Sequence, residues 1–152
     1  MACAIFGNMG SQTITESLLE NYIERTFFEG HASTFLIGNN TEFDLLALKV
    51  LRRLNKSMPS LRYKVVPAFI PSRREMEFLR PEELAPVREG KKLSRKKAIR
   101  LRNRMMVQEA DVVLAYIRRP FSPAGNAVRY AKRAGREIIK MTVKYTPEPY
   151  QY

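Results

Sequence analysis

The residues with the clearest chemical potential in this sequence run from Thr34 to Asp44, where an apolar stretch ends at Gly38 and a polar turn follows. A glycine at such a turn lets the main chain approach a ligand closely, because it has no Cβ. The helix predicted to begin after Thr41 presents unpaired N–H groups with positive partial charge, which favour a phosphate. An ordinary strand-to-helix turn needs the same glycine and the same cap, so both interpretations are open at this point.

A second feature is a concentration of positive charge. The chain has 27 Lys and Arg against 15 Asp and Glu, a net charge of +12 that attracts polyanions. Between Arg88 and Arg104 the sole acidic residue is Glu89. A nucleic-acid surface in this segment would use Lys91, Lys92, Arg95, Lys96, Lys97, Arg100 and Arg104. The alternative is a solvated helix face that maintains solubility, and the segment itself has no interleaved aromatic residues for stacking on bases.

Candidates for catalysis are few. A single Cys3 and a single His31 cannot make the usual structural zinc cluster, and the sequence has no Walker-type or Gly-x-Gly-x-x-Gly loop. Asp44 is a carboxylate in the glycine turn, but helix capping explains its position equally well. We therefore expect no metal, no cofactor and no catalytic residue, and favour a binding protein over an enzyme.

These residues need a scaffold, and the hydrophobic pattern predicts one. Strands are predicted at residues 2–7, 34–37, 63–69, 112–117 and 137–143, with helices between them. The alternation predicts an α/β, Rossmann-like, doubly wound and mostly parallel five-stranded sheet of order 3-2-1-4-5, with helices on both faces. Ligands bind beyond the carboxyl ends of such strands, so the turns at Gly7, Gly38 and Gly125 are predicted to meet along one edge.

The chain is expected to form a single domain over residues 1–143, followed by a tail at 144–152. Residues 70–92 lack periodicity and are predicted to be a long loop or lid, and 93–109 a basic helix. No apolar run is long enough for a membrane span, and a lone Cys3 suits a reducing compartment, so we expect a cytoplasmic protein with no membrane partner.

Several motifs, taken in order, resemble the small single-domain bacterial proteins of the SLOG superfamily, which includes DprA-like and Lonely-Guy-like Rossmannoid domains. The motifs are Cys-Ala-Ile-Phe-Gly-Asn at 3–8, Gly-Asn-Asn-x-x-Phe-Asp at 38–44, Pro-Glu-Glu-Leu at 81–84, Ala-Ile-x-x-Arg-Asn-Arg-Met-Met at 98–106, Asp-Val-Val-Leu-Ala-Tyr at 111–116 and Ala-Gly-Asn-Ala at 124–127. The resemblance covers residues 2–142. It implies a nucleotide or nucleotide-derived ligand, a bacterial or phage protein, and a homodimer.

Carried over by position, the resemblance implies a ligand site made of three loops and of one side formed by Arg102 and Asn103. Its residues are Gly7, Asn8, Gly38, Asn39, Asn40, Asp44, Arg102, Asn103, Ala124, Gly125 and Asn126. Arg102 is expected to grip a phosphate through its planar fork, and Asn103 to contact a base or ribose. Tyr116, at the predicted end of the fourth strand, is expected on the same rim, where it can stack on a base.

Three functions follow from these observations. The first is a sensor or receptor for a nucleotide-derived ligand, and the second is a nucleic-acid-binding module using residues 88–104. The third is a nucleoside monophosphate N-glycosidase, the activity that Lonely-Guy-like members imply. Their motif ends in a glutamate, but this chain has Arg129 or Tyr130 near that position, which leaves Asp44 as the candidate carboxylate.

Overall fold

The computed structural model describes residues 1–9, 14–87 and 93–143. Five parallel strands form one sheet in the order 3-2-1-4-5, which confirms the predicted fold class and strand order. The strands are β1 Ala2–Gly7, β2 Thr34–Ile37, β3 Arg62–Val65, β4 Val112–Tyr116 and β5 Glu137–Lys140. Strands β3 and β5 end earlier than the apolar pattern predicted, because only their first residues find a neighbouring strand to pair with.

Helices cover both faces of this sheet. They are α1 Glu16–Phe28, α2 Glu42–Ser57, α3 Arg73–Met76, α4 Arg95–Glu109 and α5 Pro123–Arg133, with a short 3-10 turn at Pro81–Glu83. Within the described ranges, no helix is both long enough and apolar enough to cross a membrane. Helix α4 lies in the segment 93–109 for which the sequence predicts a basic helix, and it begins at Arg95 after the Ser94 cap.

Two hydrophobic layers hold the helices to the sheet. Helices α1 and α2 pack on one face through residues such as Ile23 and Phe43, and α4 and α5 pack on the other through Met106 and Ala131. Alternate strand residues point into opposite layers, as a pleated sheet requires. Cys3 is fully buried in the first layer, where burial raises the pKa of its thiol far above the usual value.

Strand register sets the positions of the loops. Gly7, the last residue of β1, pairs with Tyr116, the last residue of β4, and Gly38 directly follows β2. The first turn of α2 is capped by Thr41, whose Oγ1 accepts a hydrogen bond from Asp44 N at 3.0 Å, as predicted. The loops that follow β1, β2 and β4 therefore meet at the carboxyl edge of the sheet.

The described part of the predicted loop, residues 70–87, is fastened to the domain through Glu83. This buried carboxylate accepts hydrogen bonds from Arg52 Nε at 2.5 Å, from the Tyr63 hydroxyl at 2.7 Å and from Arg80 N at 3.1 Å. Burial disfavours its charge, but the hydrogen bonds from Arg52, Tyr63 and Arg80 outweigh that effect and hold the pKa of Glu83 below its ordinary value. Residues 88–92 of the predicted loop lie outside the described ranges.

We predict that Glu83→Gln lowers the free energy of unfolding at pH 7 by about 2 kcal/mol, because charged hydrogen bonds are replaced by neutral ones. A carboxyl whose pKa is lowered by folding stabilises above its unfolded pKa of about 4.3, and this contribution is lost as pH falls through the folded pKa. Urea denaturation at several pH values should therefore show the difference from the wild type shrinking below about pH 4.

The matched control is Glu82→Gln, the same chemical change at the exposed neighbouring position. It should leave the free energy of unfolding within about 0.5 kcal/mol of the wild type. Equal losses in the two variants, or a difference that does not depend on pH, would contradict the role given to Glu83.

Candidate functional site

The carboxyl edge of the sheet holds a small cavity of about 30 Å³ between the ends of β1 and β2 and the start of α5. Seven of the residues that the sequence assigned to a ligand site lie in its wall: Gly7, Gly38, Asn40, Asp44, Arg102, Asn103 and Ala124. The structure thus brings residues of all three predicted loops together with Arg102 and Asn103 of α4. A cavity of this size has room for one or two water molecules.

The space above Gly38 is filled by the side chain of Arg102. A Cβ placed on Gly38 would lie 2.7 Å from Arg102 Nη1 and 2.9 Å from Asp44 Oδ2. Both distances are shorter than van der Waals contact, so a side chain here would displace one of these groups. The glycine does permit a close approach to the backbone, and in this structure the approaching group is the protein's own guanidinium.

Arg102 is 5% exposed and has a hydrogen-bond partner on each guanidinium nitrogen. Its Nε donates to Asn103 Oδ1 at 2.8 Å, its Nη1 to the Val66 carbonyl at 3.0 Å, and its Nη2 to Asn40 Oδ1. Burial lowers the pKa of Arg102, and the negative charge of Asp44 opposes this shift. One side chain therefore joins α4 to the turn after β2 and to the chain leaving β3.

Asp44 belongs to the same group of polar contacts, as the charge partner of Arg102. Its Oδ2 accepts a hydrogen bond from Asn40 N at 3.1 Å, which orders the turn that precedes α2. Burial raises the pKa of Asp44, although the charge of Arg102 and the hydrogen bonds from Asn40 and Thr41 act in the opposite direction. The carboxylate faces the small cavity, but its contacts are those of a helix cap and a charge partner.

Asn8 lies next to the cavity, where it holds the turn between β4 and α5. Its Nδ2 donates to the Arg119 carbonyl at 3.0 Å and to Ser122 Oγ at 2.8 Å, and its Oδ1 accepts from the N–H groups of Arg118 at 2.6 Å and Arg119 at 3.0 Å. Both polar atoms of the side chain are thus engaged within the protein. These hydrogen bonds give Asn8 a role in positioning the turn, and its contact with a ligand stays a prediction.

Two further predicted residues are in the interior. Tyr116 is 2% exposed and stacks on Phe43, with ring centroids 6.4 Å apart, so its ring lies in the core and not on the rim where the sequence placed it. Side chains alternate along β4, and position 116 falls on the α1 and α2 face. Gly125 lies in the first turn of α5, where a Cβ would meet the Pro120 carbonyl oxygen at 2.1 Å, so its small size serves packing.

Asn39 and Asn126 are outside the small cavity. Asn39 Nδ2 donates to Glu75 Oε2 at 3.1 Å, which ties the turn after β2 to α3. Asn126 accepts a hydrogen bond from Arg129 Nη2 and lines a separate, larger depression on the surface. No group of three or more His, Cys, Asp or Glu suited to a metal ion occurs within the described ranges.

That larger depression, which we call the basic groove, lies between α4 and α5 and has a volume of about 410 Å³. None of the described residues that line it is acidic. Its five basic side chains are Lys96, Arg100, Arg104, Arg129 and Arg133. Asn103 contributes to both this groove and the small cavity, so the two sites share one wall.

Helical spacing explains which of the predicted basic residues reach the groove. Lys96, Arg100 and Arg104 recur every four residues along α4 and share one face. Arg95 points elsewhere, because its guanidinium covers the Phe69 ring at 5.2 Å, and exposed Lys97 does not line the groove. Lys91 and Lys92 lie outside the described residues.

The groove also contains two aromatic residues, and each lies beneath an arginine. Arg104 Cζ is 5.0 Å from the centroid of the Tyr130 ring, and Arg129 Cζ is 5.5 Å from that of Phe121. Neither aromatic residue was predicted from the sequence, because both belong to α5 and the turn before it and not to the basic segment. A sequence pattern that could have indicated Tyr130 lies in α5. Opposite the small buried residues Ala127 and Ala131, this helix carries one polar and basic face with Asn126, Arg129, Tyr130 and Arg133.

A comparison with protein-family models finds no match, and neither does a search of curated proteins. Among solved structures, the chain is similar to DNA processing protein A (DprA) from Streptococcus pneumoniae, with a TM-score of 0.62 and 14% sequence identity. The similarity covers 96% of this chain and 52% of that chain, so this chain spans about half the length of that protein. At this identity the comparison establishes a DprA-like fold.

We predict that Gly38→Ala lowers the free energy of unfolding by about 2 kcal/mol, because its Cβ overlaps Arg102 and Asp44. Arg102→Ala removes one of the two overlapping groups, so Gly38→Ala should cost less in that background. Urea denaturation of the wild type, both single variants and the double variant gives the coupling energy. An equal cost of Gly38→Ala in the two backgrounds would contradict the close packing of Arg102 on Gly38.

Proposed function

We propose that this protein binds nucleic acid through the basic groove. The observation that carries the proposal is the lining of that groove, where five Lys and Arg side chains from two helices face a space of about 410 Å³. A nucleic-acid backbone carries one charge per phosphate, and side chains that neutralise these charges release bound counterions. This release supplies most of the affinity of sequence-independent binding.

The identity of the basic residues supports the same function. Four of the five groove cations are arginines, whose planar guanidinium makes paired hydrogen bonds to phosphate oxygens. Arg104 and Arg129 are already positioned by contacts with Tyr130 and Phe121, so little conformational freedom is lost when they meet a phosphate. Surface arginines that serve only solubility have no need of such fixed positions.

The similar solved structure is compatible with this proposal, since its name describes a protein that processes DNA. Together with the order of the sequence motifs, the DprA-like fold supports membership of the SLOG superfamily. A homodimer is part of the same proposal, because that membership implies it. A cytoplasmic location is proposed because the lone Cys3 suits a reducing compartment.

A nucleotide or nucleotide-derived ligand at the carboxyl edge of the sheet is the second candidate, with a sensor or receptor role. The observation in its favour is the meeting of Gly7, Gly38 and Ala124 around one cavity that has the Arg102 guanidinium in its wall. The cavity of about 30 Å³ is smaller than a nucleotide, so such a ligand has to displace Arg102 from Gly38. The freed guanidinium would then be available to its phosphate.

For the first candidate, we predict that Arg100→Glu/Arg133→Glu weakens binding of a fluorescein-labelled oligodeoxythymidylate at least tenfold at 0.1 M salt. The slope of log K against log salt should also become shallower by about 0.7 for each lost phosphate contact. Fluorescence anisotropy at several salt concentrations measures both quantities.

The matched control is Lys97→Glu/Lys132→Glu, which makes the same charge change on the same two helices at exposed positions outside the groove. It should reduce affinity much less and leave the salt slope near that of the wild type. Equal losses in the two double variants would show that net charge matters and the groove does not.

For the second candidate, we predict that one member of a panel of AMP, cyclic AMP and ADP-ribose gives a saturable heat of binding with the wild type. Gly38→Val should abolish it, because the added side chain holds the space that the ligand must enter. Thermal melts establish that the variant is folded. Heat from no compound, or equal heats for both proteins, would exclude this candidate. Release of free base from AMP, together with its loss in Asp44→Ala, would instead identify an N-glycosidase.

A further inference from the structure

We infer that the basic groove takes single-stranded nucleic acid in particular, and that Phe121 is the surface on which an unpaired base stacks. This inference rests on the proposed function and names the ligand class of the same groove. It is carried by the exposure of Phe121, by the way its turn is held, and by the charges around it.

Phe121 presents its ring to solvent. The residue is 94% exposed, and Arg129 lies against one side of the ring at 5.5 Å. Exposed apolar side chains are common on protein surfaces, so exposure alone would mean little. This ring, however, stands in a groove whose remaining lining is mostly cationic and polar, so it does not belong to an apolar patch.

The turn that carries Phe121 is held firmly from both sides. Asn8 bonds to the main chain of Arg119 at both its N–H and its carbonyl, and Ser122 Oγ donates to the Arg119 carbonyl at 2.6 Å. On the other side, Arg129 Nη1 donates to the Pro120 carbonyl at 2.7 Å. An aromatic ring on a fixed turn is preorganised, so a base that stacks on it costs little further ordering.

Tyr130, the other aromatic residue of the groove, is less suited to this role. It is half-buried, Arg104 covers its ring at 5.0 Å, and its hydroxyl accepts a hydrogen bond from Gln108 Nε2 at 3.2 Å. Its contacts position Arg104, whereas Phe121 keeps a face open to a ligand. A base on that face would complete a stack with Arg129 behind the ring.

The arrangement discriminates between single and double strands. Inside a duplex each base is paired and stacked on both of its neighbours, so only the two end pairs have a free face to offer to a side chain. In a single strand the bases can turn away from the backbone and stack on aromatic side chains while the phosphates meet cations. The ring and the arginines of the groove match these two parts of a single strand.

The chain contains no Trp, so Phe121→Trp supplies a single fluorescent reporter at this position. The probes are an oligodeoxythymidylate of about 12 nucleotides, an abasic strand of the same length, and a blunt duplex. We expect the thymidylate strand to quench the fluorescence of the introduced indole, while the abasic strand binds without quenching. Anisotropy of labelled strands measures affinity independently of the quenching.

In the same assay, Phe121→Ala and Phe121→Leu should each weaken binding of the thymidylate strand about tenfold and leave affinity for the abasic strand unchanged. Phe121→Leu keeps the apolar bulk and removes only the aromatic face. The wild type should also prefer the thymidylate strand over the duplex.

Three outcomes would overturn the inference. Unchanged thymidylate affinity in both variants, or equal quenching by the abasic strand, would show that the groove binds backbone only, and the proposed function would stand. If none of the three nucleic acids binds the wild type, the proposed function is wrong and this inference is wrong with it.

Discussion

The placement of Arg102 on Gly38 is the constraint on which the rest of the site depends. A buried guanidinium is costly to desolvate, so it persists only where its hydrogen bonds are made and an opposite charge is near. Asn40, Asn103 and the Val66 carbonyl supply the acceptors, and Asp44 supplies the charge. Because these groups belong to different parts of the chain, the arginine fixes α4 against the carboxyl edge of the sheet.

Two consequences follow from that single orientation. With Arg102 pointing inward, the residues two positions before and after it point outward, which places Arg100 and Arg104 in the basic groove. The inward arginine also fills the loop that the glycine opens, which leaves about 30 Å³ at the sheet edge against about 410 Å³ in the groove. The same helix thus closes one candidate site and builds the other.

The sequence predicted the parts of this arrangement that local pattern determines. The alternation of strands and helices along the chain predicts the strand order, and the capping preference of threonine predicts the cap at Thr41. Gly7 and Gly38 come together because the carboxyl ends of parallel strands lie at the same edge of the sheet. What occupies the space above Gly38 could not be predicted, because a ligand phosphate and an internal guanidinium require the same glycine. Phe121 was missed for a related reason, since only the packing of α5 beside α4 brings it to the basic residues.

Mapping an oligodeoxythymidylate on the protein by amide NMR tests the central claim most directly, because it reports where the strand lies. The account predicts that amide shifts change along residues 96–104 and 121–133, with small changes between Gly38 and Asp44. Large changes confined to Gly38 through Asp44, with the two helices unaffected, would contradict it and move the binding site to the edge of the sheet.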